Sequence, residues 1–336
     1  MSLTTQRTQQ TLARTTCVSG FGLFNGCDVT IEFCPADEDH GIVFERVDLS
    51  EPVRIPALID YVVPQNRCTV ISHQGAKVSV IEHVMAALAG LHVDNCLVRI
   101  NAPEPPGCDG SSLEFVEAIL HAGIIRQTRP RLCLDVCHPV THLESNRVGI
   151  AAQSSPDSDY QIGFLLDYGP GPIPFQAFNL TITPSTFLEQ LANCRTFVLQ
   201  SEVEQLQAAG LGRRATPQNV LVFTDHGVLE NSLRWPDECV RHKILDCVGD
   251  FALLGCDLTG RFTASRSGHR LNHEMIRQLR QAHLPTVLPT ASSISLPASV
   301  PMSESLTHPS PTMRQSPHFK SPRTSSSTVS ISTVQK

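Results

Sequence analysis

The sequence predicts an α+β fold: two related α+β domains packed face to face, followed by a disordered tail. Three observations carry this reading. Strand-like and helix-like segments come in the same order in each half, namely strands, helix, strand, helix. Each half places a histidine on its long helix, His83 in the first and His242 in the second. From about Pro285 the chain turns to Ser, Thr and Pro with no sustained apolar period. Such a segment buries too little apolar surface to offset its ordering entropy.

The elements follow in order. "DVTIEFCPA" and "GIVFERVDL" read as strands near the start. "SVIEHVMAALAGLH" reads as a helix that Ser79 caps, with Glu82 three residues later completing a capping box and Gly90 ending it. "DNCLVRIN" is then a strand, and "SSLEFVEAILHAG" a helix capped by Ser111 or Ser112 and closed by Gly123. The Pro-containing "TRPRLCLDVCHPVTH" reads as a join, giving domains 1–127 and 128–284 with the tail at 285–336. In the second half "QIGFLLDYG" and "FQAFNLTIT" are strand-like. The long helix "PDECVRHKILDCVGDFALLG", the strand "TGRFTASRSG" and the helix "HRLNHEMIRQLRQA" follow. Before the long helix, "CRTFVLQSEVEQLQAAGLGRRATPQNVLVF" holds a short amphipathic helix whose Val198, Leu199, Val203 and Leu206 form an apolar wall.

Composition narrows the function. A 336-residue chain with 41% hydrophobic residues supports sizeable cores, and one Trp and three Tyr make them mostly aliphatic. The net charge of −6 argues against a broad nucleic-acid or anionic-membrane surface. A few local cations still suffice for a small anion such as a nucleotide diphosphate. The 12 cysteines are scattered, many in apolar runs, and form no CxxC pair. They read as small hydrophobes rather than a disulfide framework or a thiolate zinc knot. The N-terminus lacks the apolar core of a signal peptide, and no run of 18 apolar residues spans a membrane. The expected compartment is the reduced cytoplasm.

Three short stretches carry chemistry. "IEHVM" supplies Glu82 and His83, "HKILD" supplies His242 and Asp246, and "RSGHRLN" supplies His269 at a strand-to-helix turn. His242, Asp246 and Asp250 are four apart and share one helix face. Two His and one carboxylate are a common ligand set for a catalytic zinc with its fourth position open. Ligands from both halves put the metal at a domain interface, where a cleft is expected. Glu82 projects about 100° away from His83 on the helix and so reaches a water without ligating the metal. Each residue also has a plain reading on spacing alone. Glu82 is then only a capping-box partner, His83 a half-buried helix histidine, and His269 a helix N-terminal residue. The i, i+4 His–Asp spacing is then a solvated helix face. The remaining histidines, His273 among them, belong to no comparable constellation.

Taken together, the stretches resemble the UDP-3-O-acyl-N-acetylglucosamine deacetylase family, the zinc amidases of lipid A biosynthesis. The resemblance spans nearly all of residues 8–284 in order, and rests most on EH, RHKxxD and SGHxLN. It implies two α+β sandwich domains with the metal at their interface. His83, His242 and Asp246 are the implied zinc ligands, in a donor set that also accepts iron or cobalt. Glu82 is the implied general base and His269 the general acid or electrostatic partner, with Asp250 oriented toward it. Thr196 is expected at the oxyanion. Phe197, Lys243 and Arg266 are expected on the nucleotide-sugar surface. The segment around 195–219 is expected to guide an acyl chain through a hydrophobic passage. The implied partner is a small-molecule UDP-sugar, with no nucleic acid; the sequence names no protein partner.

Some positions depart from the family's usual pattern. Val198 stands where a Gly is common, Arg266 where a Lys is, Phe24 where many members carry His, and Arg270 where a small residue is usual. "GLGRRATPQN" replaces a more usual "GGS" pattern. Val198 and Arg213–Arg214 motivate a second reading, an amidase for another N-acetylated sugar. A third is a binding protein with a structural metal, against which Glu82, His269 and Thr196 argue.

Overall fold

Two sheets of matching strand order organise the computed structural model, which describes residues 2–145 and 147–283. The Ser/Thr/Pro-rich tail expected from Pro285 lies outside the described residues. The first half contains β1 (Ser2–Leu12), β2 (Thr16–Phe21), β3 (Asp28–Pro35), β4 (Ile42–Arg46) and β5 (Val53–Pro56). After them come the short strands β6 (Val62–Val63), β7 (Val70–His73) and β8 (Ala76–Ser79). Helix α1 (Glu82–Gly90), β9 (Cys96–Ile100) and helix α2 (Leu113–Ala122) complete it. The second half contains β10 (Ile124–Asp135), β11 (Val140–Ser145), β12 (Val148–Gln153), β13 (Tyr160–Leu166) and β14 (Gln176–Thr181). An inserted segment follows, with α3 (Pro184–Gln190), β15 (Phe197–Leu199), α4 (Gln200–Ala208), β16 (Leu221–Thr224) and β17 (Gly227–Val228). Helix α5 (Glu238–Phe251), β18 (Asp257–Ser265) and α6 (His269–His283) end the described chain.

The first sheet runs β2-β3-β9-β4-β5, and the second carries β11-β12-β18-β13-β14 in the same arrangement. In each, the strand after the long helix enters the middle of the sheet. It lies antiparallel to one neighbour (β3 or β12) and parallel to the other (β4 or β13). The similarity of the halves is therefore a similarity of topology. Alternation produces it locally: Val29, Ile31 and Phe33 of β3 and Val98 and Ile100 of β9 are buried, with Ile31 opposite Ile100 and Phe33 opposite Val98.

Four features differ from the sequence expectations. Ser79 does not cap α1; it ends β8, its hydroxyl donates to the Pro103 carbonyl, and Ile81 occupies the N-cap without a side-chain bond. Ser112 stands at the N-cap of α2 but sends its hydroxyl to the His83 carbonyl instead. Residues 128–135 of the expected join belong to the long strand β10, whose pairing with β1 shifts register beside Pro130 and then continues. Val198 and Leu199 lie in β15, and the inserted helix begins only at Gln200.

The expectations also passed over β1, which is mostly polar and pairs with β10 across the expected boundary at 127/128. Its Arg7 explains why a polar strand is worth placing there. The guanidinium is bidentate to Asp94 of the first half (2.6 and 2.7 Å) and to Asp257 of the second (2.7 and 2.8 Å). Arg131 reaches the same two carboxylates. Paired planar forks of this kind satisfy buried carboxylates well.

Helices α1 and α5 pack on each other between the halves, while α5 also contacts β13 and β14. The approach is close enough that a Cβ on Gly249 would clash with the Glu82 carbonyl and lie 3.1 Å from the Ala86 nitrogen. No disulfide joins any of the twelve cysteines. Among the described residues no helix is long and apolar enough to cross a membrane.

This contact has a measurable consequence. Gly249→Ala should lower stability by about 1–3 kcal/mol or more, because backbone rather than a flexible side chain must give way. Gly171→Ala, where nothing lies within 4 Å of the added carbon, should stay within about 0.5 kcal/mol of wild type in a denaturant melt. Equal midpoints for the two variants would show that the helices do not depend on this approach.

Candidate metal centre and active site

Helix α5 is buried along almost its whole length, so its polar residues face partners rather than water. Val240, Ile244, Leu245 and Val248 join the core, while His242, Asp246 and Asp250 sit one turn apart on one face. The first turn of α1 brings Glu82 and His83 to the same place. The chain enters α1 through Val80 at φ 57°, a conformation that costs a β-branched residue strain.

His83, His242 and Asp246 are all buried, and their ligand atoms lie within 4.8 Å of one another. Nε2 of His242 is 3.4 Å and Nε2 of His83 is 3.7 Å from the same Asp246 Oδ1. The His242 ring is oriented by Nδ1, which faces the Cys194 carbonyl at 3.0 Å; a carbonyl only accepts, so Nδ1 carries the proton and Nε2 presents its lone pair. Burial pushes His83 down to about 3 and lowers His242, so both imidazoles are neutral. Burial alone would raise the Asp246 carboxyl, but Lys243, whose Nζ donates to Oδ2 at 2.7 Å, holds it well below the usual range. Oδ1 itself is buried and accepts no hydrogen bond. An orphaned carboxylate oxygen facing two imidazole lone pairs is costly unless a cation sits among them. The donor set therefore fits a divalent metal with bonds of about 2.0–2.2 Å.

Glu82 and His269 flank this group. Glu82 Oε2 accepts the Thr69 backbone N–H at 3.0 Å, and Oε1 faces His269 Nε2 at 3.7 Å. Burial, opposed by His269 and reinforced by Asp246, pushes the Glu82 carboxyl up to about 7. Burial would lower His269, but Asp250 and Glu82 outweigh it and raise the imidazole to about 9. Asp250 Oδ2 takes His269 Nδ1 at 2.8 Å and Asn272 Nδ2 at 2.8 Å. A buried carboxyl near neutrality beside a cationic imidazole is the electrostatic pattern of a base and an acid.

The site residues expected from the sequence open onto one cavity of about 880 Å³, except Asp250, which lies fully buried behind His269. Thr196 is placed by backbone bonds to Gly110 and Leu221. The adjacent Arg195 is locked by a buried pair with Glu238 (2.8 Å), which ties this strand, and with it the Cys194 carbonyl, to the start of α5. Phe197 packs edge-on against His242, Tyr168 and Phe223. Val198, Val203 and Leu206 line the cavity and Leu199 does not, because β15 turns it toward the core. Neither Arg213 nor Arg214 lines it; Arg214 is spent on Asp28 and the Gly26 carbonyl. Arg270 does line it, beside Glu144 and Glu274.

Three supporting residues escaped the sequence reading. Thr69 touches Glu82, Asp250 and the His269 and His273 imidazoles of α6. Ser112 holds the carbonyl of His83. His273, one turn beyond His269, lies against Thr69 and Asp250. Only His273 left a signal, its i, i+4 spacing from His269.

Comparison with known proteins agrees with this geometry. The family model described as UDP-3-O-acyl N-acetylglycosamine deacetylase (LpxC) matches residues 9–281. Proteins named UDP-3-O-acyl-N-acetylglucosamine deacetylase are similar over most of their length. That of Myxococcus xanthus (strain DK1622) is 38% identical over 81% of this chain and 86% of its own. That of Geobacter sp. (strain M21) is 40% identical over 81% and 88%, and that of Xanthomonas campestris pv. campestris (strain B100) 37% over 81% and 89%. With a buried carboxyl, a cationic imidazole and a cation-fitting donor set in one cavity across that matched span, the chain belongs to the UDP-3-O-acyl N-acetylglycosamine deacetylase family of metal-dependent amide hydrolases.

Proposed function

We propose that this chain hydrolyses the 2-acetamido group of UDP-3-O-acyl-N-acetylglucosamine, giving acetate and the free 2-amino sugar nucleotide for lipid A biosynthesis. The observation that carries the reading is the placement of Glu82 and His269, 3.7 Å apart, beside the His83–His242–Asp246 group within one cavity. Those three residues would hold the metal, taken here as zinc, in a set that also accepts iron or cobalt. When bound, such an ion supplies Lewis acidity and lowers the pKa of a water to about 7.

The chain's own groups supply the rest. Glu82 takes the proton of the attacking water, for which its raised carboxyl is matched to neutral pH. The Thr196 hydroxyl donates to the oxygen that gains charge as the carbonyl becomes tetrahedral. His269, kept cationic by Asp250, gives its proton to the nitrogen as the C–N bond breaks. Lys243 and Arg266 face the diphosphate, and Phe197 supports the sugar. The inserted segment near 195–219, with Val198, Val203 and Leu206, encloses the acyl chain. The division into domains at 127/128 and a cytoplasmic setting, consistent with twelve cysteines that no disulfide joins, belong to the same reading.

Glu82→Ala should lower turnover by about 10²–10⁴-fold while folding and metal content persist; near-normal acetate release by that variant would sink the mechanism. Metal analysis should find about one zinc per chain, chelation should abolish turnover and added zinc restore it, and His242→Ala should bind far less metal. Activity undiminished after complete metal removal would rule out the assigned ligand set. Rates on acylated substrate should exceed those on UDP-N-acetylglucosamine by at least about tenfold, since remote binding energy is used at the reacting centre. Equal rates would point to another N-acetylated sugar.

A further inference from the structure

Among the buried groups that surround the cavity, Thr69 alone bonds to both the base and the carboxylate behind the acid. It is fully buried immediately before β7, in the strand insertion of the first half, whereas Asp250, His269 and His273 belong to the second. Its backbone N–H donates to Glu82 Oε2 at 3.0 Å, and its hydroxyl donates to Asp250 Oδ1 at 2.5 Å. A hydroxyl has one hydrogen to give. With that hydrogen on Asp250, the Thr69 oxygen is left as an acceptor, and His273 Nε2 at 2.9 Å is the donor facing it. His269 Nδ1 lies 3.3 Å from the same oxygen but has its own acceptor in Asp250 Oδ2 at 2.8 Å. Asn272 completes Oδ2. His273, itself buried, is also 3.4 Å from Asp250 Oδ1.

We propose that Thr69, held by His273, is a positioning residue of the hydrolysis that fixes Glu82 and the Asp250–His269 pair in one frame. The proposal rests on the deacetylase reading given above. The main chain of Thr69 decides which oxygen of Glu82 remains free to face the substrate. Its hydroxyl, at the same Cα, decides how Asp250 stands, and Asp250 in turn aims the His269 ring. Base and acid come from different halves, and a single residue sets the distance between them. His273 removes the alternative in which the hydroxyl turns away from Asp250.

Thr69→Val keeps the shape and the backbone bond to Glu82 but deletes the hydroxyl; Thr69→Ser keeps the hydroxyl; His273→Leu deletes the donor that orients it. Acetate release from UDP-3-O-acyl-N-acetylglucosamine, bound metal and melting temperature are measured for each zinc-loaded variant and for wild type. Thr69→Val should lose about 10–100-fold in kcat, with KM within about twofold and metal content unchanged. Thr69→Ser should recover most of that loss, and His273→Leu should lose kcat in the same direction. A Thr69→Val kcat within about twofold of wild type overturns the proposal, as does a loss that Ser shares or that follows loss of metal. Should Thr69→Val fail to fold, an unimpaired kcat in His273→Leu overturns it instead. Wild type that releases no acetate would fail the deacetylase reading itself, whereas active wild type with an equally active Thr69→Val fails this inference alone.

Discussion

The site depends on how closely two backbones approach. Helices α1 and α5 come from different halves and meet where Gly249 offers no side chain to the carbonyl of Glu82. His83 follows Glu82 directly, Asp246 lies three residues before Gly249, and Asp250 follows it. Glu82, His83, Asp246 and Asp250 therefore depart from backbone positions within one turn of the contact. Close-packed interiors transmit small changes in spacing, so ligand separation is governed by main-chain contact more than by the side chains that ligate. The buried pair of Arg195 and Glu238 extends the same control to Thr196, just before β15, and to the carbonyl that orients His242.

Around that contact, charges are buried in an ordered way. Lys243 satisfies one oxygen of Asp246, and the other is left for a cation. Asp250 is satisfied on both oxygens by Thr69, His269 and Asn272 and so acts as a fixed anion. Two aspartates one turn apart on one helix thus take different tasks because their neighbours differ. Glu82 and His269 are both pushed toward the protonated form by the same surroundings: burial works against charge on the carboxyl, while the nearby carboxylates favour charge on the ring.

Much of this was legible in the sequence. The apolar alternation of β3 and β9, the periodicity of the long helices and the repeated element order are local signals, and the sheets reproduce them. The grouping of His242 and Asp246 with His83 was legible because one turn of helix separates His242 from Asp246 and because EH and SGH stand out in company. What stayed hidden was set by partners far away in the chain. Ser79 and Ser112 have the chemistry of caps, yet each hydroxyl finds a carbonyl elsewhere. Thr69 is one threonine among many until tertiary structure puts four polar groups around it. β1 has no apolar period at all, since its partners are the carboxylates of Asp94 and Asp257.

That first strand has a kinetic meaning. The hydrogen-bonding partners of β1 in β10 are more than a hundred residues further along the chain, and the carboxylate of Asp257 that completes the Arg7 fork is later still. Contacts so distant in sequence close slowly, after the segments between them have ordered. β1 must therefore wait, solvated, while the first sheet forms. Its threonines, glutamines and arginine suit a strand that has to remain soluble until the second half arrives. The polarity that concealed β1 from pattern reading is what lets it wait for β10.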